Sequence, residues 1–391
     1  MLDSPVRGFL VGEFETRLER LHKLMSTKRL AGILLMSEPE VRYFTGFLTQ
    51  FWQSPTRPWF LFIPVDKKPI AVIPEIGAAL MRTTWIDDIR TWGAPWPKDD
   101  GISLLQDLLE PLLKSGARLG VMKGHESSLR MPLGDYERLM SRLGGIEVVD
   151  ATDILHNLRM VKSAAEIDKI AHICGIASRT FARAGDIFHK GQSLAEAFRA
   201  FRIECLTQGA DDVPYLAGGA DQGGYCDLIS PPSNRSLESG DILMFDTGAT
   251  FDGYFCDFDR NFAIEQADDL SRRVYDTLWR ATEAGLSTAR PGRTCRDLFQ
   301  AMQNVISEMD DQGGEVGRYG HGLGMQLTEQ PSHAVFDDTV LEENMVITLE
   351  PSLNYGDGLI MVHEENIVVQ NGAPRLLSKR AAPELPIIGG R

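Results

Sequence analysis

The stretch FDTGATFDGYFCDFDR, residues 245–260, sets four aspartates inside what patterns as two β-strands, where charge is costly. Asp252-Gly253 between two apolar-patterned runs is a hairpin-turn signal, so Asp252 belongs to the turn. Strand side chains alternate faces, which puts Asp257 and Asp259 on one face. The loop has either two residues (251 opposite 254) or four (249 opposite 254). In both registers Asp246 falls on that same face, opposite Asp259 or Asp257 respectively. Three carboxylates then converge on one side of the ribbon. Unpaired, they would repel and some would stay protonated. A divalent cation removes the conflict.

The end of the chain repeats the arrangement. Glu350 closes the strand run MVITLE. In MVHEENIVV, alternation puts His363, Glu365 and Ile367 on one face and Glu364 on the other. His321 lies in GHGLG, whose small neighbours let a backbone turn bring an imidazole to an ion. Oxygen-rich ligation with one histidine suits two divalent ions of the Mn, Co, Fe or Zn kind. Paired ions activate a water and polarise a carbonyl.

A chain of 391 residues is too long for one ordinary core. Residues 1–155 alternate helical runs (FETRLERLHKLMSTK, ISLLQDLLEPLLKSG) with strand runs (AGILLM, PWFLFIP, KPIAVIP, RLGVMKG, IEVVD), which predicts an α/β domain without a catalytic cluster. In the second domain, 156–391, capping-box signatures at Ser163/Glu166 and Ser193/Glu196 open two helices before the acidic hairpin. Helices around 269–288 and 295–310 precede the second strand pair. The pattern is helix–helix–strand pair, twice, an α+β unit with an internal duplication.

The formal net charge of −15 and the lack of any Lys/Arg run argue against nucleic acid as a partner. No run approaches the apolar length of a membrane span, and MLDSPVRGFLVGEFETR lacks the core of a signal peptide. Five scattered cysteines without a CxxC pair read as reduced thiols, and the expected location is the cytoplasm.

The order D-x10-D, GHG, LEP, E-N-x-V-V resembles the metallopeptidase family with the pita-bread fold, M24, in its creatinase, prolidase and aminopeptidase P branch. DTGATFDGYFCDFDR is similar to the family's aspartate strand pair, GHGLG to its histidine loop, and ITLEP and EENIVV to its glutamate strands. VRYFTGF and LRMVKSAAEI resemble the creatinase-like N-terminal domain and the helix that follows it. The resemblance implies a pita-bread catalytic domain with a pseudo-two-fold repeat, two divalent metal ions and a homodimer. Carried over residue by residue, it makes Asp246 a ligand of one metal, Asp257 and Glu365 bridges, and His321 and Glu350 ligands of the other. Family position and strand parity both favour Glu365 over Glu364.

Three departures stand out. No histidine lies between His189 and His321, where peptidases of this kind have one near Ile229. Thr328 replaces a second histidine seven residues after His321, although Glu329 and Pro331 are kept. Asp259 stands where the family has a hydroxyl. His363 replaces an arginine and is either a ligand-facing base or a packed strand residue. Trp52 and Arg57, in YFTGFLTQFWQSPTRPWF, lie in a segment that in creatinase reaches the partner subunit's pocket; they are substrate-binding candidates with Thr328, or else a packed Trp and a solvated Arg. The expected function is a dinuclear hydrolase acting on Xaa-Pro or other small peptides, with Glu350 or Glu365 shuttling the proton. The alternative is a creatinase-like hydrolase or lyase of a small zwitterionic metabolite, with Asp259 or His363 in acid/base roles.

Overall fold

The computed structural model describes residues 4–54, 57–309 and 317–389. The chain divides into two compact units, Val6–Arg159 and the remainder. The divide falls at 159/160, inside the helix Thr152–Met160, where the pattern places it at 155/156. No helix among the described residues is long and apolar enough to cross a membrane.

The first unit is built on a six-stranded mixed sheet. Its strands are β1 (Gly32–Leu35), β2 (Phe60–Pro64), β3 (Ile70–Pro74), β4 (Asp88–Trp92), β5 (Arg118–Val121) and β6 (Glu147–Asp150), in the order β4-β3-β2-β1-β5-β6. Leu34, Phe60, Phe62, Val72, Leu119 and Val121 of the sheet bury against Leu105, Leu109 and Leu139 of two helices. Trp52 is 6% exposed and packs against Phe47 and Trp59, with ring centroids 6.4 and 5.8 Å away. Arg130 lies over its ring and donates to the carbonyls of Trp52, Ser54 and Arg57, each at 2.6 Å. The Trp52 side chain is therefore a packing element of its own unit. Arg57 is half-buried, its guanidinium 5.9 Å from the Phe51 ring.

The second unit carries two sheets, each backed by a helix pair. Helices Ala164–Ala182 and Leu194–Thr207 open with the expected capping boxes at Ser163 and Ser193; a third, at Thr294/Asp297, opens Cys295–Ile306. Phe181, Phe198 and Phe201 of the first helix pair stack on Phe245, Phe258 and Phe262 of the first sheet. That sheet contains β7 (Asp212–Gln222), β8 (Asp241–Phe251), β9 (Tyr254–Phe255), β10 (Phe258–Ile264) and, at its edge, β18 (Ile387–Ile388). The second sheet comprises β11 (His321–Gly322), β12 (Glu329–Ser332), β13 (Val346–Leu349), β16 (Glu365–Val368) and β17 (Arg375–Leu376), with β14 (Ser352–Tyr355) and β15 (Leu359–Val362) as a separate hairpin. Helices Asp269–Thr288 and Cys295–Ile306 cover it through Leu278, Ala281, Leu298 and Met302, against Ile347, Leu349 and Ile367.

The hairpin takes the two-residue loop: Phe251 pairs with Tyr254 and Asp246 with Asp259. Asp252 and Gly253 have φ of 48° and 75°, as a type I′ turn requires. The Asp252 carboxylate is 2.6 Å from Nζ of Lys169, a side chain only 1% exposed, so the turn is pinned to the first helix. Strand β7 is not legible in the sequence, because Pro214 and the Gly218-Gly219 pair read as strand breakers. It nevertheless pairs along β8, setting Tyr215 opposite Gly248 and Ala217 opposite Asp246.

Candidate metal centre

Four carboxyl side chains of the second unit gather around His321. Asp246 comes from β8, Asp257 from the short gap between β9 and β10, and Glu350 from the end of β13. Glu364 comes from the gap between β15 and β16. Gly320 makes the approach possible: its φ is +120°, and a Cβ there would lie 2.4 Å from the Thr348 carbonyl oxygen. His321 is thereby drawn onto β13, its N–H 3.2 Å from Thr348 Oγ1.

Asp257, His321 and Glu364 each offer a ligand atom, and these atoms lie within 4.8 Å of one another. His321 Nε2 is 3.4 Å from Asp257 Oδ2 and 3.9 Å from Glu350 Oε2. Its Nδ1 is 2.8 Å from the Gly322 carbonyl oxygen, a contact that places the proton on Nδ1 and leaves the Nε2 lone pair facing the acids. Burial, with Arg318 adding to it, lowers the His321 pKa to about 3, so the ring is neutral.

The acids are pushed the other way. Burial raises Asp246 to about 6, opposed by hydrogen bonds from the Tyr215 hydroxyl (3.0 Å) and Asp257. Burial followed by repulsion from Asp246 and Glu350 drives Asp257 well above the carboxylate range. Burial, then Asp257, Glu350 and Asp246, does the same to Glu364. Glu350, with 31% of its side chain exposed, is the open side of the cluster; burial and then Asp246 raise it to about 8. Asp246 Oδ1 and Glu364 Oε1 are buried with no hydrogen-bond partner among the described residues. A carboxyl group left this way in a crowd of like charge is suited to binding a cation.

Glu364 occupies the place expected for Glu365. Strand parity fails here because His363 and Glu364 belong to neither β15 nor β16, and those strands pair with different partners. Alternation restarts across such a gap. Glu365 instead sits between Arg260 (2.9 Å) and Arg380 (3.2 Å) and accepts from Ser378 Oγ and from the Ala381 N–H. Burial opposes its ionisation, but Arg260 and the other donors outweigh it and hold the pKa below the usual range. It is a satisfied core acid.

Two expected acid/base groups also lie elsewhere. His363 turns toward the helix Asp269–Thr288, its Nδ1 3.1 Å from Thr282 Oγ1 and its ring against Tyr275; burial lowers it to about 3. Of the two readings it is the packed one, although it lies in the gap between β15 and β16 and not within a strand. Asp259 is 1% exposed, and its oxygens accept from Asn261 Nδ2 (2.9 Å) and the Glu364 N–H, not from the open side. Thr328 is half-buried in the segment before β12; its neighbour Leu327 rests against Gly248. Glu329 is paired with Lys162 at 3.1 Å, both nearly fully buried. Ile229 is 87% exposed and fills no pocket.

Tyr215, bonded to Asp246, and Arg318, whose charge bears on Asp257 and Glu350, escaped the sequence reading. Tyr215 lies on the illegible strand β7, and no sequence pattern marks Arg318 in RYGHGLGM.

Comparison with known proteins covers both units. The family described as metallopeptidase family M24 matches residues 168–371, and the creatinase/prolidase N-terminal domain matches 17–161. The Xaa-Pro dipeptidase of Pyrococcus horikoshii is 27% identical over 373 residues, 92% of this chain and 96% of that one. The Xaa-Pro dipeptidase of Pyrococcus furiosus is 24% identical over 92% of this chain and 97% of its own. The crystal structure of dipeptidase PepE from Mycobacterium ulcerans superposes with a TM-score of 0.84 at 25% identity, covering 97% of this chain and 99% of that one.

Proposed function

Because the chain belongs to metallopeptidase family M24, we propose that it hydrolyses the amide or peptide C–N bond of a small substrate, as Xaa-Pro dipeptidases do. The observation that carries this reading is the uncompensated cluster of Asp246, Asp257, Glu350 and Glu364 around the free Nε2 of His321. Those residues fit divalent ions: four carboxyls, two of them with orphaned buried oxygens, and a neutral imidazole already in the right tautomer. Two ions of the Mn, Co, Zn or Fe class are the reading we favour. Bound there, such ions polarise the scissile carbonyl and make a water nucleophilic near neutral pH.

The chain's own groups do the rest. Glu350, the acid with an open side, takes the proton of the attacking water at a carboxylate oxygen and returns it to the leaving nitrogen. Tyr215 restrains Asp246, and the aromatic layer behind β8 keeps water from the ribbon's other face. All five cysteines are free thiols, four of them buried, which supports a reducing cytoplasmic setting. A homodimer that presents the Arg57 loop to its partner's site belongs to the same proposal.

One feature supports a second reading. No histidine stands between His189 and His321, and Thr328 holds the place of the other substrate-side histidine, so the groups that would steady a peptide oxyanion are missing. A small zwitterionic substrate of the creatine, ectoine or dimethylsulfoniopropionate type would not need them. The deciding experiment sets the metal-loaded protein against Xaa-Pro dipeptides and these metabolites side by side. Failure to cleave any peptide ends the first reading.

A further inference from the structure

Where the chain leaves β15 and before it enters β16, main-chain groups lie in a closed interior and need partners. The structure supplies them from side chains of β10 and from Tyr225, which lies just beyond β7. Tyr225 Oη accepts from the Val362 N–H at 2.8 Å, and Asn261 Nδ2 donates to the Val362 carbonyl at 2.7 Å. Asp259 Oδ1 accepts from the Glu364 N–H, while Arg260 Nη1 donates to the Glu364 carbonyl at 2.9 Å. The supports are bonded to each other: Tyr225 Oη donates to Asn261 Oδ1 (3.0 Å), and Asn261 Nδ2 donates to Asp259 Oδ2 (2.9 Å). Tyr225, Asn261 and Asp259 are each at most 2% exposed.

We propose that the adjacent pair Asp259–Arg260 is a positioning clamp that makes residue 364, not 365, the metal-facing glutamate. The clamp holds both main-chain hydrogen-bonding groups of Glu364, one from each side, and fixes the peptide at the angle that sends its side chain to Asp257 and His321. Arg260 completes the selection by binding the Glu365 carboxylate through Nη2 at 2.9 Å, which keeps that neighbour away from the centre. A carboxylate at 259 suits this duty better than a hydroxyl. It has two oxygens and can accept from Glu364 and Asn261 at once, with charge-assisted bonds. Neither oxygen points to the open side of the cluster, so Asp259 is a positioning residue and not a catalytic one. The inference rests on Glu364 being a ligand.

The test is metal binding by the stripped full-length protein, titrated with Mn²⁺ in a calorimeter and checked by the visible spectrum of the Co²⁺ form. Asp259→Ala should weaken Mn²⁺ binding roughly tenfold to a hundredfold, the usual cost of removing an outer-shell support. Its Co²⁺ spectrum should shift. In a Glu364→Ala background the same change should cost nothing further, whereas in a His321→Ala background the two losses should add. A general structural role would add in both. If Asp259→Ala does not fold, Asp259→Asn keeps the shape but sets an amide against a donor, and the same cycle applies. Wild-type Mn²⁺ affinity in a folded Asp259 variant overturns the clamp, as does an equal loss in the Glu364→Ala background. Wild-type affinity in Glu364→Ala alone would overturn the assignment of Glu364 as a ligand.

Discussion

Glu364 and Glu365 are neighbours in the chain and opposites in surroundings. Glu364 stands among carboxyls, while Glu365 is held between Arg260 and Arg380. Their removal should therefore separate two quantities. Glu364→Gln should lower metal affinity by more than about a hundredfold, beyond what an outer-shell change costs, with little loss of stability. Glu365→Gln should leave stoichiometry intact but destabilise the fold by roughly 3 kcal/mol, because the fully buried carboxylate that the partly buried Arg260 and Arg380 share is lost, although Arg380 keeps Glu283. Calorimetric titration and urea unfolding read the two effects; the reverse pattern would restore Glu365 as the ligand.

The chelated protein should lose stability as pH rises. Asp246 at about 6 and Glu350 at about 8 lie above their ordinary values of 3.8 and 4.5. A raised carboxyl stabilises the fold while protonated. That contribution is whole below the ordinary values and is lost through the folded ones, between about pH 4 and pH 8. Melting in a chelator should thus occur several degrees lower near pH 8 than near pH 5. Mn²⁺ at about a hundred times Kd should add about 2.7 kcal/mol, and more of the gain should appear at the higher pH. A flat Tm across that window in chelator would contradict the cluster's electrostatics.

The turn that brings the aspartates together hangs on a buried ion pair. Asp252→Asn tolerates the positive φ but takes the carboxylate charge away from the buried Lys169 ammonium, and it should cost about 3 kcal/mol. Adding Lys169→Met should recover a large part of that loss. Additive losses in the double variant would show that the pair is not coupled.

Gly320→Ala should damage the centre without touching any ligand. Its Cβ would meet the Thr348 carbonyl oxygen at 2.4 Å from a backbone with φ of +120°. We expect a loss above about 2 kcal/mol and weakened metal binding as His321 shifts. Gly317→Ala, which meets nothing within 4 Å, is the control and should stay within about 0.5 kcal/mol of the parent.

Thr328→His returns a donor to the segment that rests against Gly248. If peptides are the substrates, turnover of Xaa-Pro dipeptides should rise about tenfold to a hundredfold, the scale of one oxyanion donor. Unchanged peptide turnover in a folded, metal-replete variant would favour the small-metabolite reading.

Local rules carried the sequence reading a long way. The Asp252-Gly253 turn, the Ser163 and Ser193 caps and the alternation that aligns Asp246 with Asp259 all depend on neighbours in the chain, and the structure has them. What could not be read depends on partners far away. Strand β7 survives Pro214 and two glycines because β8 supplies its ladder. Glu364 displaces Glu365 because β15 and β16 answer to different neighbours, which no periodicity reveals. Asp259 reads as an acid/base candidate because one of its two hydrogen-bond partners, the Glu364 N–H, lies 105 residues downstream.

The gap at His363–Glu364 also bears on how such a centre can be moved or copied. A ligand whose direction comes from strand alternation travels with its strand and can be transplanted as a segment. Glu364 cannot, because its aim is set by side chains carried on β10 and by Tyr225. A graft of the EEN segment onto another sheet would deliver the wrong glutamate unless it brought that scaffolding along. The smallest portable version of this centre is therefore a pair of sheets and not a set of motifs.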